Sequence, residues 1–328
     1  MSRPLLGSLL VALFISLSLV TYHGSLDAPL VGDARLLSYQ NAFTRAPDGW
    51  ARFWTADYFE GAITPGYTYQ TGYYRPIANT VFWLAYRLAG SRALLYNLSQ
   101  VVLHGLNAFL VILLCLRIRR DHLAAAVAGI LFVLHPVHAF AATEPAALAD
   151  VLSTGLYVLG LLAFDSALNE GRRAAVMGKL GLTVALYLLA LLSKEMAITL
   201  PAVLVLLVVG RHFEGGTPLR RVAWTAPVWA ALAGYLVWRF GILALESPAT
   251  GYAELYSPFT LALGALKSGA IHLSRIVLPL GAGYPELNPW LVNFVGSSLT
   301  DPLVYIAIAI SLCLVTFVAL PRRSPTLA

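Results

Sequence analysis

The first residue that could do chemistry is Asp33, in the stretch LVGDARLLSYQNAF. A carboxylate can take a proton from a hydroxyl nucleophile, and it can also hold a divalent cation such as Mg²⁺ or Mn²⁺. The alternative is an N-cap of a helix over 34–43, because Asp side chains accept hydrogen bonds from the free N–H groups at a helix start. The residues alone leave both interpretations open.

A second stretch, YYRPI, places Tyr74 and Arg75 directly before a proline. The guanidinium is always charged and binds phosphate through two parallel hydrogen bonds, which makes Arg75 a candidate phosphate ligand. An arginine that merely lies along an apolar surface to reach water has the same sequence pattern.

Two more stretches carry imidazole or charged side chains between apolar runs. In HPVH, His135 and His138 have a spacing that can bind zinc, but a firm third ligand is missing, and we predict no metal site there. In LLSKEMAITLP, Lys194 and Glu195 are either site residues or an ion pair that solvates a short turn. The other polar residues at the predicted outer helix ends are Asp57, Glu144, Asp150, Lys267 and Arg275.

These residues belong to a chain whose composition predicts a membrane protein. Hydrophobic residues make up 59% of its 328 residues and charged residues 12%, and long apolar runs alternate with short charged clusters. Such runs must satisfy their own backbone hydrogen bonds in lipid, which favours an all-α bundle. We predict about eight spanning helices, at about 5–22, 93–116, 122–140, 148–167, 177–193, 196–210, 222–244 and 302–320.

The distribution of charge predicts the orientation. One set of connections carries 12 of the 22 lysine and arginine residues in short clusters, which places these clusters and both termini in the cytoplasm. The net charge of +6 therefore reports orientation and requires no nucleic-acid partner. The opposite, outer side carries two elaborations, at about 23–92 and 245–301, and the first contains an amphipathic surface helix over 74–88. No internal repeat is visible, so we expect 1–328 to form one membrane domain.

Taken in order, these stretches resemble a known family. An acid after the first helix is followed by FWTADYFEG, YYRPI, LHGLN, HPVH, an Asp at the start of the next helix, and LLSKEMAITLP. This order is similar to that of the integral-membrane glycosyltransferases of the GT-C fold. It is most similar to the transmembrane and tetratricopeptide-repeat-containing O-mannosyltransferases and their bacterial relatives, although we expect no tetratricopeptide-repeat domain in this chain. The resemblance is clear over residues 1–210 and weaker beyond them.

The resemblance implies a polyprenyl-phosphate sugar donor and a protein, glycan or lipid acceptor that enters from the periplasmic or luminal side. A bacterial inner membrane is the expected location. The resemblance makes Asp33 the general base of an inverting transfer and Arg75 the phosphate ligand. It also implies a sugar and phosphate pocket lined by Tyr74, His135, His138, Asp150, Lys194, Glu195, Lys267 and Arg275.

Several positions depart from the family's pattern, namely Gly32, Asn97, Gln100, Phe140 and Leu148. They support one alternative function, a non-catalytic membrane partner that keeps the fold. The second alternative is a lipid or sugar transporter or flippase, which would also place polar residues in a helical bundle. The concentration of charged residues at the outer surface favours chemistry at that surface over transport.

Overall fold

The computed structural model describes residues 3–64, 71–210, 221–245, 257–260 and 262–263. Nearly all of them belong to one compact unit, Met1–Val209 with Phe213–Pro248. Of the second unit, Gly210–His212 with Ala249–Ala328, the structure describes only Gly210, 257–260 and 262–263. Lys267, Arg275, the predicted span at 302–320 and most of the elaboration at 245–301 lie outside the described residues.

The described chain is helical throughout its first unit. The helices are, in chain order, α1 (Arg3–Tyr22), α2 (Gly32–Leu37), α3 (Ala42–Arg45), α4 (Pro76–Ala89), α5 (Ala93–Arg119), α6 (His122–Leu134), α7 (Ala139–Thr143), α8 (Leu148–Leu168), α9 (Arg173–Ser193), α10 (Leu200–Val209) and α11 (Ala226–Leu236). Short 3₁₀ turns connect several of them, and a π-helical turn, Val237–Ile242, continues α11.

Four of these helices, α1, α5, α8 and α9, are long and apolar enough to cross a membrane. A fifth candidate is bent by 50° where α6 meets the stretch Pro136–Thr143. The bend falls at a proline, which lacks the N–H that a continuous helix needs and clashes with the preceding turn. The chain is therefore an all-α polytopic membrane protein, as its composition predicts.

The predicted number of spans is higher than the number found in the described residues. The spans predicted at 196–210 and 222–244 correspond to α10 and α11, which have 10 and 11 residues. A 3₁₀ turn precedes α10 and a π turn follows α11. The backbone therefore changes its hydrogen-bonding pattern before either α-helix is long enough to span a membrane.

Close packing between α1 and α5 sets the position of the loop that follows α1. A Cβ atom at Gly105 would lie 2.8 Å from the Cα of Ile15, so only glycine allows this approach. The Ser18 hydroxyl donates to the carbonyl of Val101 at 2.8 Å, one turn further along the contact. Small residues permit this kind of contact between membrane helices. The chain thus leaves α1 for the following loop at a fixed point beside α5.

The predicted surface helix over 74–88 is α4, whose 14 residues are too few to span a membrane. Its buried face, with Ala78 and Phe82 fully buried, packs on the same apolar cluster as Ala34 of α2 and Ala149 of α8. The polar residues that the sequence predicts for the outer side lie above this apolar cluster.

Candidate active site

Arg75 and Glu195 form the central ion pair of a cluster of polar residues, although they lie 120 positions apart in the sequence. The Arg75 Nε donates to Glu195 Oε2 at 3.0 Å and its Nη2 donates to Oε1 at 2.5 Å. Their side chains are 11% and 26% exposed. Burial opposes the charge of Glu195, but the hydrogen bonds and charge of Arg75 outweigh it and hold the Glu195 pKa below its ordinary value. The pair therefore stays ionised at neutral pH.

A second ion pair adjoins the first. The Lys194 Nζ lies 2.5 Å from Asp150 Oδ1, which joins the turn after α9 to the first turn of α8. The side chains are 19% and 45% exposed, so this pair is more open to its surroundings than the Arg75–Glu195 pair. The charge of Asp150 also reaches Arg75. Four of the predicted pocket residues thus form one cluster in which two cations face two acids.

Asp57 shapes the turn that presents Arg75. Its buried carboxylate accepts hydrogen bonds from the backbone N–H groups of Phe59, Thr71 and Gly72 at 3.0, 2.9 and 2.5 Å. The Thr71 hydroxyl donates to the same carboxylate at 2.9 Å. A carboxylate used in this way is a structural residue, because its acceptor sites are taken by the backbone.

Tyr58 packs against Arg75 and is within electrostatic reach of Asp33 and Asp150. No pattern in the sequence singled it out beyond its place in FWTADYFEG. Its side chain is fully buried, and the Arg75 guanidinium carbon lies 4.9 Å from its ring centroid. Burial raises the pKa of its hydroxyl, Arg75 lowers it, and the charges of Asp150 and Asp33 raise it further. One hydroxyl is therefore within electrostatic reach of Asp33, Arg75 and Asp150.

Asp33 occupies the first turn of α2 and does not cap it. The N-cap position is Val31, and no side chain makes a capping hydrogen bond there. Gly32 begins the helix with a φ of +47°, a left-handed conformation that favours glycine. The Asp33 side chain is exposed and makes no hydrogen bond or ion pair within the described residues. The N-cap alternative is therefore wrong, and the carboxylate is available to accept a proton.

Two amide side chains of α5 fasten the loops that flank Asp33. The Asn97 amide donates to two backbone carbonyls of the segment after α1, at 3.0 and 2.8 Å. The Gln100 amide donates to two carbonyls within 141–144, at 3.0 and 2.8 Å. Burial raises the pKa of Glu144, and the charge of Asp33 adds to this effect. Two positions that depart from the family's pattern thus serve to position the site.

Two further departures, Phe140 and Leu148, differ in burial. Phe140 is 57% exposed, whereas Leu148 is 3% exposed and packs in the apolar cluster beneath the site. Neither residue displaces Asp33 or the two ion pairs.

The two histidines of HPVH lie among aromatic side chains of α5 and α6. The His138 ring centroid is 4.4 Å from that of Phe132 and 5.8 Å from that of His104. His135 accepts a hydrogen bond from the N–H of Val137 at 3.2 Å and so caps its own turn. The structure thus gives both histidines packing and capping contacts, and their role as ligands of the sugar or phosphate stays a prediction.

Tyr74 faces the interior of the bundle. Its side chain is 1% exposed, and its hydroxyl donates to the Trp54 carbonyl at 2.8 Å and accepts from Trp238 Nε1 at 3.2 Å. Beside it lies Arg239, a buried residue that our sequence reasoning missed. The sequence does carry a signal for Arg239, because it is the one charged residue in the predicted span 222–244. Charged residues within membrane helices are usually functional.

A cleft of about 230 Å³ opens beside the Lys194–Asp150 pair. It is lined by Asp150, Ser153, Thr154, Tyr157, Val158, Lys194, Met196 and Ala197. Beside the charged Lys194 and Asp150, the lining has three hydroxyl side chains (Ser153, Thr154 and Tyr157) and three apolar ones (Val158, Met196 and Ala197), which suits a molecule with both an anionic and a hydrocarbon part.

A metal ion at Asp33 remains a prediction. In the part of the chain that the structure describes, no three His, Cys, Asp or Glu side chains come together to hold a metal ion.

Comparison with known proteins agrees with the motifs. The chain is 30% identical over 184 residues to the protein O-mannosyl-transferase Tmtc1 of Drosophila melanogaster, and 27% identical over 246 residues to Tmtc2 of the same organism. It is 27% identical over 126 residues to the human protein O-mannosyl-transferase TMTC3. These matches cover 56%, 74% and 38% of this chain. The resemblance that the motifs predict is confirmed.

The matches cover a small part of the relatives. The chain spans 21%, 26% and 14% of the lengths of these three proteins. No family model matches the chain, and no solved structure matches it. The likeness is therefore one of sequence, and it covers about a quarter or less of each of these relatives.

Proposed function

We propose that this protein is an integral-membrane glycosyltransferase of the mannosyl type, which takes its sugar from a polyprenyl-phosphate carrier. The observation that carries the proposal is the cluster of the Arg75–Glu195 and Lys194–Asp150 ion pairs, whose residues come from distant segments. The exposed Asp33 carboxylate is within electrostatic reach of Tyr58, which packs against Arg75. The similarity to proteins named protein O-mannosyl-transferases supports the reaction class.

Asp33 acts as the general base. It takes the proton of an acceptor hydroxyl while the hydroxyl oxygen forms a bond to the anomeric carbon of the sugar. The bond between that carbon and the phosphate oxygen breaks, and the polyprenyl phosphate leaves with the electron pair. A single displacement of this kind inverts the anomeric centre, and a positioned base contributes about 10²–10⁴-fold to the rate.

Arg75 stabilises the charge that develops on the leaving phosphate. An arginine has five N–H donors, and Glu195 occupies two of those of Arg75, which leaves others for phosphate oxygens. Preorganised donors of this kind are worth most where charge appears in the transition state. Lys194, which lines the cleft, adds a second cation for the phosphate.

The site faces the periplasmic or luminal side in this proposal, and the acceptor is a protein, glycan or lipid hydroxyl. The arginine clusters after α5 and at the start of α9 then lie in the cytoplasm, as the positive-inside rule requires. A bacterial inner membrane is the location that fits this orientation.

The test is release of sugar from lipid. Purified protein in nanodiscs receives a panel of radiolabelled polyprenyl-phosphate sugars with membrane extract as acceptor. We expect Asp33→Asn to lower release about 10²–10⁴-fold. The matched control is Asp27→Asn, an exposed acid of the same loop, and it should leave release unchanged.

Equal release by the wild type and Asp33→Asn would remove the general-base assignment. If no donor of the panel were bound or cleaved, lipid translocation in proteoliposomes would be measured next. Translocation by the wild type would replace the glycosyltransferase proposal with a flippase.

A further inference from the structure

α11 ends in a π-helical turn, Val237–Ile242, whose signature bond joins the N–H of Leu243 to the carbonyl of Trp238 at 2.9 Å. A π turn adds one residue to the helix and often occurs at functional sites. Each residue of a regular helix rotates the side-chain direction by about 100°, so the added residue changes which side chains face the neighbouring segment. Here they are Trp238 and Arg239.

Arg239 reaches from this turn to the segment that precedes Arg75. Its side chain is 5% exposed, and its Nη2 donates to the Gly72 carbonyl at 2.7 Å. Its Nη1 lies 3.5 Å from the Tyr235 hydroxyl. A buried guanidinium is costly in a membrane protein unless its donors are used, so a bond to a backbone carbonyl fixes that carbonyl firmly.

Trp238 holds the same segment two residues further on. Its indole N–H donates to the Tyr74 hydroxyl at 3.2 Å, and that hydroxyl donates to Trp54. Adjacent residues of the π turn therefore bind residues 72 and 74, directly before Arg75. From the other side, the Asp57 carboxylate binds the N–H of Gly72.

We infer that the π-helical turn of α11 positions Arg75 for the donor phosphate, with Arg239 and Trp238 as the positioning residues. Neither residue touches the donor; each fixes the backbone that carries the guanidinium. The inference rests on the proposed function in one respect, the binding of the donor phosphate by Arg75. The hold of the π turn on residues 72–75 is testable without any donor.

The first experiment is amide hydrogen exchange of the whole protein in nanodiscs, followed by mass spectrometry of the peptide that contains 72–75. We expect Arg239→Met to speed exchange there roughly tenfold or more, because a charge-assisted hydrogen bond is lost. Arg239→Lys should recover part of the protection. The control is Arg221→Met, since Arg221 also donates to a backbone carbonyl, that of Leu168 at 2.8 Å, away from this segment. Unchanged exchange at 72–75 in Arg239→Met would overturn the inference.

The second experiment separates positioning from general destabilisation. With the donor that the wild type uses, Arg239→Met should raise the donor KM roughly tenfold and change kcat less. In an Arg75→Gln background it should have no further effect, since residues that act through one group are not additive. Equal losses in both backgrounds would show that Arg239 does not act through Arg75.

Two results keep this inference distinct from the proposed function. If the wild type releases no sugar but the exchange results stand, the proposed function fails and the positioning contact stands. If Arg239→Met does not fold, Trp238→Phe takes its place, because it removes the indole N–H but keeps an aromatic side chain. Faster exchange at 72–75 in Trp238→Phe supports the inference, and unchanged exchange overturns it.

Discussion

α8 carries an ion-paired aspartate near each end, and the two pairs differ. Asp150 is 45% exposed and lies 2.5 Å from Lys194. Asp165 is 3% exposed and lies 3.5 Å from Arg117, whose own side chain is 56% exposed. The first end, with the Arg75–Glu195 pair beside it, is called the site end here, and the second is called the opposite end.

The surroundings explain the difference. At the opposite end, polar side chains complete helix ends: Lys179 donates to the Ser166 carbonyl and to Glu170, and Asn169 donates to the Asp165 carbonyl. At the site end, the pairs adjoin a cleft, and the charges of Asp33 and Asp150 reach the same tyrosine hydroxyl. Ion pairs that satisfy the backbone are structural, whereas ion pairs next to an available carboxylate and a cleft indicate a site.

The largest expected effect is a difference in donor use between a variant at the site end of α8 and a variant at its opposite end. Arg75→Gln should lower kcat/KM for the polyprenyl-phosphate donor roughly 100-fold, because a preorganised cation is lost where charge develops. Arg117→Gln should stay within about twofold of the wild type, since its pair is long and exposed. Sugar release from the lipid measures both.

A control is needed because Arg75→Gln leaves Glu195 without its partner. Breaking a largely buried pair on one side is destabilising, whereas replacing both partners is tolerated far better. The double variant Arg75→Gln/Glu195→Gln should therefore regain the unfolding temperature but not the donor use. Recovery of donor use in the double variant would contradict the role of Arg75.

The next effect concerns stability at the opposite end. Asp165→Ala should lower the free energy of unfolding by about 1–3 kcal/mol, because the hydrogen bond from Arg117 to the buried carboxylate is lost. Turnover per folded molecule should be unchanged. Denaturant unfolding in mild detergent measures the first quantity and sugar release the second. A large loss of turnover in Asp165→Ala would mean that the opposite end also serves the chemistry.

A smaller effect is expected for the more exposed pair of the site end. Lys194→Gln should lower donor use by about tenfold at most, because exposed ion pairs are weak and screened by salt. Lys194→Arg should retain most activity. The difference between Lys194→Gln and the wild type should shrink when the assay is repeated at high salt; a constant difference would argue for a direct contact with the donor.

The smallest effect is a pH dependence within the site end. Burial raises the pKa of Glu144 above its ordinary value of 4.5, so its stabilising contribution is present below that value and is lost as pH rises through the raised pKa. Glu144→Gln should therefore match the wild type in Tm below pH 4.5 and exceed it by about 2 °C at neutral pH.

Glu195 has the opposite sign and serves as the control. Its pKa is lowered, so its contribution is present above the ordinary carboxyl pKa and is lost only as pH falls through the lowered value. Glu195→Gln should lower Tm throughout the neutral range. A common pH profile for Glu144→Gln and Glu195→Gln would contradict the environments described for them.

Much of the fold follows from the sequence because apolar runs are long and sharply bounded. The spans predicted at 93–116 and 148–167 are found as α5, Ala93–Arg119, and α8, Leu148–Leu168. The helix predicted over 34–43 is instead split into α2 and α3, since the Asn41 side chain accepts hydrogen bonds from the N–H groups of Phe43 and Thr44 and starts a new helix. Side-chain capping of this kind competes with helix continuation and is hard to anticipate from periodicity.

The site was predictable as a set of residues but not as a geometry. The order of the motifs in the sequence predicted Arg75, Asp150, Lys194 and Glu195 as site residues, and the structure places these four together. It did not indicate that Arg75 pairs with Glu195, because the partners are fixed by packing between distant helices. The π turn that aims Arg239 also has no local sequence signature.

The separation of Arg75 and Glu195 has a consequence for biosynthesis. At 5–20 residues per second, the ribosome completes Glu195 about 6–24 s after Arg75. During that interval the guanidinium has no partner carboxylate at position 195, and the turn before it lacks the clamp from α11, which is made later still. The Arg75–Glu195 pair therefore forms only after α9 has been made, and a nascent chain arrested before α9 carries Arg75 without the acid that holds it.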